Sequence, residues 1–283
     1  MTVGQLQIDF YSRLSGAYPK EEIQSFFSWL AECYLGYTRF DVSLKKDEMV
    51  AAHVLAKFLS ATDQLLQNEP IQYIVGATEF YGLHLKVTPA TLIPRPETEE
   101  LVAWVLQGMG EGKNLELIDI GTGSGCIAIA LAKFAEGVKV SGLDVSEEAL
   151  RVATENAALN GVEVDFFQQD VLKSKQLPKS YDVIISNPPY VRALEKEYMQ
   201  PNVTQHEPHK ALYVTNEDPL LFYREIARMA QNHLKTNGIL YFEINEYLSK
   251  EMQELLETLG FTDIELKKDH FDKFRMLKCK RCT

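Results

Sequence analysis

Cysteine is scarce in this chain. Four residues in 283 (Cys33, Cys126, Cys279 and Cys282) do not make a disulfide framework at this length, so a reducing cytoplasm is the default. Long apolar runs are missing. None approaches the ~18 residues of a membrane span, and Met1–Asp9 lacks a basic-then-apolar leader pattern. Basic charge is in deficit, with 29 Lys and Arg against 40 Asp and Glu, a formal net charge of −11. That balance disfavours a protein that wraps nucleic acid through a broad basic surface, while leaving room for a local basic patch. Internal repeats and low-complexity stretches are also absent. What is present is ordinary: 46% hydrophobic and 24% charged residues exclude a disordered chain. The length suits one large domain or two modest ones. The composition therefore predicts a two-part, cytoplasmic globular protein.

Residues 1–68 read as helical. Apolar positions recur at three- and four-residue steps in Ile23, Phe26, Phe27, Leu30 and Tyr34, and again in Val50, Val54, Leu55, Phe58, Leu59, Leu65 and Leu66. Pro19 followed by Lys20-Glu21-Glu22 suits a helix start. Residues 69–100 change character: alternation around Gly82 predicts a short hairpin, and Pro89, Pro94 and Pro96 suggest a connector. From residue 101 to 283 strands and helices alternate. Strands are expected at Leu115–Ile120, Val138–Asp144, Val164–Gln168, Tyr181–Ser186, Ile239–Ile244, Ile264–Lys267 and Arg275–Cys279. Helices are expected at Cys126–Phe134, Ser146–Asn160, Pro219–Leu234 and Leu248–Leu259. Repeated βα units imply an α/β, doubly wound, mostly parallel sheet of seven strands. The final pair, with no helix between its strands, implies one antiparallel edge.

The first strand runs into Asp119-Ile120-Gly121-Thr122-Gly123-Ser124-Gly125 just before a helix. Three glycines at alternate positions allow a tight turn and let a ligand lie against the backbone at a helix N-terminus. Asp144 ends the next strand, about 20 residues on, where a carboxylate can accept both ribose hydroxyls. Dinucleotide sites use G-x-G-x-x-G; the tighter spacing here, preceded by Asp119, resembles the S-adenosylmethionine loop of class I methyltransferases. An acid at Asp119 suits a cationic ligand better than a phosphate.

Tyr181–Ser186 leads into Asn187-Pro188-Pro189-Tyr190. Consecutive prolines remove two N–H donors and leave backbone carbonyls free to accept; the Asn oxygen adds an acceptor and Tyr190 a flat face. This turn resembles that of methyltransferases acting on planar nitrogens: adenine N6, certain guanine and cytosine amino groups, and glutamine amides. Four further stretches narrow the resemblance: Gln72-Tyr73-Ile74-x-Gly76, Glu79-Phe80-x-Gly82, Leu92-Ile93-Pro94-Arg95-Pro96-Glu97-Thr98-Glu99 and Glu207-Pro208-x-x-Ala211-Leu212. With these, the chain resembles the HemK/PrmC family, the N5-glutamine methyltransferases of peptide chain release factors. It departs from the family pattern at Tyr213–Leu220, where a glycine-rich stretch is usual. It departs again at Asn245, where glycine is usual, and at Asp272-Lys273-Phe274-Arg275, where Gly-x-Asp-Arg is usual.

The resemblance implies a class I methyltransferase sheet with an antiparallel final strand, behind a small N-terminal helical domain that recognises the substrate. It implies S-adenosylmethionine as cofactor and S-adenosylhomocysteine as product. Gly121, Thr122, Gly123, Ser124 and Gly125 would line the methionine end, Asp144 would take the ribose, and Asp170 and Val171 would flank adenine. A simple helix N-cap is the competing reading of Asp170. Asn187, Pro188 and Tyr190 would be catalytic, Asn187 also bordering the cofactor. Pro189 and Glu207 would join them in binding substrate, and Arg95, Pro96, Glu97 and Thr98 would border the cofactor pocket. The implied partner is a release factor carrying a Gly-Gly-Gln loop, with no stable nucleic acid, no membrane and no metal, and the enzyme would be a monomer. A DNA or RNA amino-methyltransferase (adenine N6 or guanine N2) is the competing function, because it can use the same turn to hold a flipped base. Its basic face or target-recognition insertion is not found in this sequence. Cys279-x-x-Cys282 lacks a second ligand pair; His206 and His209, and the Lys267-Lys268 and Lys278-x-Lys280-Arg281 cluster, read as solvated.

Overall fold

A computed structural model describes residues 1–109 and 114–281, so Cys282 lies outside the described residues. The chain divides into two compact units: residues 1–76 with 200–206, and residues 77–199 with 207–283.

The first unit is helical: α1 (Val3–Leu14), α2 (Lys20–Leu35), α3 (Arg39–Leu44), α4 (Ala52–Leu66) and α5 (Ile71–Val75). Several starts and stops have a local cause. Thr2 and Gln5 form a capping box for α1, and Thr38 and Asp41 one for α3. Pro19 opens α2 with Glu21 and Glu22 in its first turn, and Gly36 ends it in the left-handed conformation. The apolar faces meet over Phe10, Phe27 and Phe58, whose ring centroids lie 5.5–6.5 Å apart. The stretch 69–100 is shared between the two units. Its α5 belongs here, whereas the hairpin and the start of the next helix belong to the second unit.

The second unit opens with that hairpin, β1 (Ala77–Phe80) and β2 (Leu83–Lys86), turned by Tyr81 and Gly82 at φ 50° and 74°, the positive pair that a two-residue hairpin loop requires. Helix α6 (Pro96–Gly108) follows. Pro96, expected to break regular structure, instead sits in the first turn of this helix, where its missing N–H has no partner to lose. The remaining core elements are β3 (Leu115–Ile120), α7 (Cys126–Phe134), β4 (Val138–Asp144), α8 (Glu147–Asn160), β5 (Asp165–Gln168), β6 (Tyr181–Ser186) and the two-residue β7 (Val191–Arg192). Short α9 (Pro201–His206), α10 (His209–Leu212) and β8 (Tyr213–Val214) come next. The chain ends with α11 (Leu221–His233), β9 (Leu234–Glu243), α12 (Ser249–Thr258), β10 (Phe261–Lys268) and β11 (Phe274–Arg281).

The seven-stranded sheet has the order β10-β11-β9-β6-β3-β4-β5, with β9, β6, β3, β4 and β5 parallel. One buried core lies on each face: Tyr223, Met229, Phe242 and Met252 belong to one, Leu101, Trp104, Ile129 and Met276 to the other. The final strand is antiparallel, as expected, but sits one place in from the edge. β11 pairs antiparallel with both β9 and β10 and lies between them. The turn after β10, held by Asp269 accepting from the Phe271 and Lys273 N–H groups, folds β11 back into that gap. The departure at Asp272–Arg275 is this turn and the start of β11, with Asp272 at φ 63°. Strand β9 also starts five residues earlier than expected, at Leu234; the register shift in its pairing with β6, with Asn237 at φ 65°, absorbs the irregular start.

Three of the features discounted as solvated are engaged. His206 donates from Nε2 to the Gln67 carbonyl at 2.9 Å, and the His209 ring packs edge-on against Tyr213. The Lys267 and Lys278 ammonium groups lie 5.5 and 4.8 Å from the Trp104 ring centroid. Among the described residues no helix is long and apolar enough to cross a membrane.

Candidate functional site

Strand register decides what meets at the carboxyl end of the sheet. Ile120 of β3 pairs with Ser186 of β6, and Ser186 with Phe242 of β9. The next residues along three adjacent parallel strands are therefore Gly121, Asn187 and Glu243. β3 is also where the strand order reverses, the point at which open α/β sheets bind ligands. The Ser186 hydroxyl donates to the Ile120 carbonyl at 2.6 Å and locks the first two strands at this level.

The glycine loop is shaped by its own bonds. The Gly121 and Thr122 N–H groups both donate to the Leu143 carbonyl, each at 2.9 Å, and the Gly125 N–H to the Thr122 carbonyl at 2.8 Å. Gly121, Gly123 and Gly125 have φ of 76°, 55° and 82°. A Cβ on Gly121 or Gly123 would meet nothing within 4 Å, so the loop presents bare backbone to open space. Gly125 is different: a Cβ there would come 2.9 Å from Ile129 Cδ1 and 3.1 Å from Ala153 Cβ. Its lack of a side chain serves helix packing. Asp144 Oδ2 accepts from the Gly123 N–H and its Oδ1 from the Ser146 N–H, both at 2.9 Å. Asn156, on α8, donates to the Ser124 carbonyl and brackets Lys86 through both its N–H and its carbonyl. One side chain thus ties the loop to the hairpin.

Buried charge marks the same place. Asp119 takes the Thr122 hydroxyl on Oδ2 at 2.6 Å, while its Oδ1, also buried, makes no hydrogen bond of normal geometry. Burial pushes its carboxyl up to about 7, against the lowering effect of Thr122, and the Asp144 charge adds to the rise. Burial also raises Asp144. Open glycine backbone beside an unsatisfied buried acid fits a ligand with a cationic, amino-acid-like end, as S-adenosylmethionine has, and does not fit a phosphate.

The adenine-flanking pair is less enclosed. Gln169, just before it, donates its N–H to the Asp144 carbonyl at 3.0 Å, which keeps it next to the Asp144 strand end. Asp170 caps a turn by accepting from the Leu172 N–H at 2.9 Å and pairs with Lys173 at 3.1 Å; no helix follows it. Val171 packs partly buried against the core.

Around the turn after β6, a network unread from sequence appears. The Asn187 Nδ2 donates to Thr98 Oγ1 at 3.2 Å, and the Thr98 hydroxyl donates to Glu243 Oε2 at 2.6 Å. The Tyr190 hydroxyl donates to Glu243 Oε1 at 2.9 Å, and that of Tyr223 to the Glu243 carbonyl at 3.1 Å. Burial raises the Glu243 carboxyl, against the lowering effect of the bonds from Thr98 and Tyr190 and of the Arg275 charge. Burial, then the Glu243 charge, raises Tyr190 well above its ordinary range, so it stays a phenol. Pro188 is buried and Pro189 half-buried. Asn245, the departure from the family's glycine, is buried with every polar atom used: Nδ2 donates to the Tyr190 carbonyl (3.1 Å) and the Glu195 carboxylate (2.9 Å), and Oδ1 accepts from the Tyr247 N–H (3.0 Å). Glu207 is buried too, its carboxylate taken by Arg95 Nη2 at 2.5 Å and the Ile93 N–H at 3.3 Å; it braces the Ile93–Arg95 segment. Glu243 had one local sign, a lone acid at the end of the apolar strand Ile239–Phe242.

Residues 5–76 match the PrmC N-terminal domain and residues 100–212 the methyltransferase small domain. The release factor glutamine methyltransferase of Flavobacterium psychrophilum is 44% identical over 281 residues, 98% of this chain and 99% of that protein. The protein of the same name from Bacteroides thetaiotaomicron is 41% identical over 269 residues, 95% and 96% of the two chains. The crystal structure of a methyltransferase from Pyrococcus furiosus aligns with 82% of this chain and all of its own at a TM-score of 0.54 and 18% identity, a likeness of fold. With whole-length identity of this order to proteins of one name, and both family domains in place, the chain belongs to the release factor glutamine methyltransferase family.

Proposed function

We propose that this protein methylates the side-chain amide nitrogen, N5, of the glutamine in the Gly-Gly-Gln loop of peptide chain release factors. The carrying observation is the register that sets Asn187 beside Gly121, so that an acceptor-rich turn and an open glycine loop share one end of the sheet. S-adenosylmethionine supplies an electrophilic methyl group on a sulfonium. Gly121 to Gly125, Asp144, Asp170, Val171 and Asn187 are the residues that would hold it, with Asp119 balancing its positive end.

An amide nitrogen is a poor nucleophile because its lone pair is delocalised into the carbonyl. Asn187 Oδ1 and the Pro188 carbonyl accept its two N–H hydrogens, fix the plane of the amide and aim the nitrogen into the site. Tyr190, held by Glu243, packs beside that plane, and Pro189 shapes the turn. Positioning and preoriented acceptors carry the rate. One N–H proton leaves to solvent after the new bond forms, so no side chain has to act as a strong base. Glu207 supports the site indirectly by holding Arg95. The helical unit grips another part of the factor; the enzyme acts as a monomer in the cytoplasm, without stable nucleic acid or membrane contact.

Labelled S-adenosylmethionine offered with purified release factor, with its Gln→Ala loop variant, and with duplex DNA and RNA tests this reading. Label on the factor alone is expected. Label on nucleic acid but not on the factor would overturn it in favour of base methylation.

A further inference from the structure

Asn187 can act as an acceptor only if its carboxamide presents oxygen, not nitrogen, to the substrate. The two ends of a carboxamide are nearly the same size, so something must choose between them. Donor counting around Asn187 shows what does. Both Glu243 carboxylate oxygens are occupied as acceptors, one by Thr98 and one by Tyr190. As a carboxylate, the form that the Arg275 charge and the bonds from Thr98 and Tyr190 favour against burial, Glu243 has no proton to return. The Thr98 hydroxyl carries a single proton and commits it to Glu243 at 2.6 Å. Towards Asn187, at 3.2 Å, Thr98 therefore has only lone pairs to offer. The Asn187 atom that faces it must be the NH2, and Oδ1 is left on the other side.

We propose that Glu243 is a positioning residue that, through Thr98, sets the orientation of the Asn187 carboxamide and so keeps Oδ1 turned to the substrate amide. The inference rests on the amide-holding role given to Asn187 above. Strand register makes the arrangement possible, since Asn187 and Glu243 follow the paired residues Ser186 and Phe242. Thr98 is supplied from the first turn of α6, with its side chain buried between them. Loss of the Thr98 hydroxyl frees the carboxamide to rotate. Loss of the Glu243 acceptor frees the Thr98 proton to turn towards Asn187, which then selects the reversed carboxamide, with NH2 facing the substrate N–H groups.

The test is a set of variants assayed at saturating cofactor: Thr98→Val, Thr98→Ser, Glu243→Met, the Thr98→Val/Glu243→Met pair and Asn187→Ala. Thr98→Val should lower kcat by about 100-fold, the scale of a misplaced group at a reacting centre. Thr98→Ser, which restores a hydroxyl, should recover most of that loss. Glu243→Met, which also releases Tyr190, should cost at least as much, and the pair no more than Glu243→Met alone, because Thr98 acts only through this link. Where Glu243→Met does not fold, Thr98→Val against Thr98→Ser carries the test alone, through kcat and the Asn187 resonances. A second readout needs no turnover. In 15N-labelled protein without substrate, the Asn187 NH2 resonances, assigned by their loss in Asn187→Ala, should shift in Thr98→Val and return in Thr98→Ser. Wild-type kcat in Thr98→Val, multiplying losses in the pair, or unmoved Asn187 resonances would each overturn the positioning role. Undiminished kcat in Asn187→Ala would instead overturn the amide-holding role on which it rests.

Discussion

A carboxyl group with one bonded oxygen and one bare one, sealed from water, is costly to ionise, and Asp119 is in that position. The folded chain holds its proton up to about 7, whereas an unfolded chain releases it near ~3.9. Asp119 therefore contributes full stability below the unfolded value and loses it as pH rises towards about 7. Urea unfolding from pH 4 to pH 7 should show a steeper decline for wild type than for Asp119→Asn; parallel curves would show that the acid is already ionised. A bound cation reverses the preference. The affinity for S-adenosylmethionine should rise between pH 5.5 and 7.5, by about tenfold per pH unit at most, and flatten in Asp119→Asn. Asn245 is the other informative single residue. Asn245→Gly restores the family's usual residue but removes the bonds to the Tyr190 carbonyl and Glu195. Release factor KM should rise while cofactor Kd stays put, and an unchanged KM would show that these bonds do not shape the substrate side.

Among the elements, α7 and α8 depend on close approach at Gly125. Gly125→Ala combines a positive φ with a Cβ inside the reach of Ile129 and Ala153. It should cost about 2–4 kcal/mol in urea unfolding, whereas Gly121→Ala, with open space around it, should cost only the backbone strain of about 1–2 kcal/mol. Asn156 joins three elements through one carboxamide. Asn156→Ala strands the Lys86 N–H and the Lys86 and Ser124 carbonyls, a loss of about 2–4 kcal/mol, and a loosened glycine loop should weaken cofactor binding as well. Cofactor Kd equal to wild type in Asn156→Ala would show that the loop holds its shape without this tie. These elements were legible locally for plain reasons. Helices α7, α8, α11 and α12 carry a 3.6-residue apolar period, and Ser146 and Gly260 mark ends where backbone groups need a cap or a left-handed residue. Helix α6 was not, because a proline-rich approach looks the same whether the last proline breaks a helix or begins one.

In the whole molecule, each unit has its own core, and the helical one gathers on Phe10, Phe27 and Phe58. Phe58→Ala should destabilise that unit by about 3–5 kcal/mol. Because the glycine loop lies in the other unit, cofactor Kd should hold while methylation of the release factor falls; equal loss of both would show that the units do not melt separately. Whatever rests on neighbours along the chain is legible in the residues alone. Helical periods, the glycine loop, the Asn187–Tyr190 turn and the strand-end Asp144 were readable because backbone geometry and local patterning need only a few adjacent residues. What rests on register and chain return emerges once the chain has folded. The antiparallel strand entered the sheet one place in from the edge, and Thr98 and Glu243, 145 residues apart, came within 2.6 Å beside Asn187. No periodicity encodes such a meeting, since it is the pairing of parallel strands, through connections of many residues, that sets which side chains share a sheet edge.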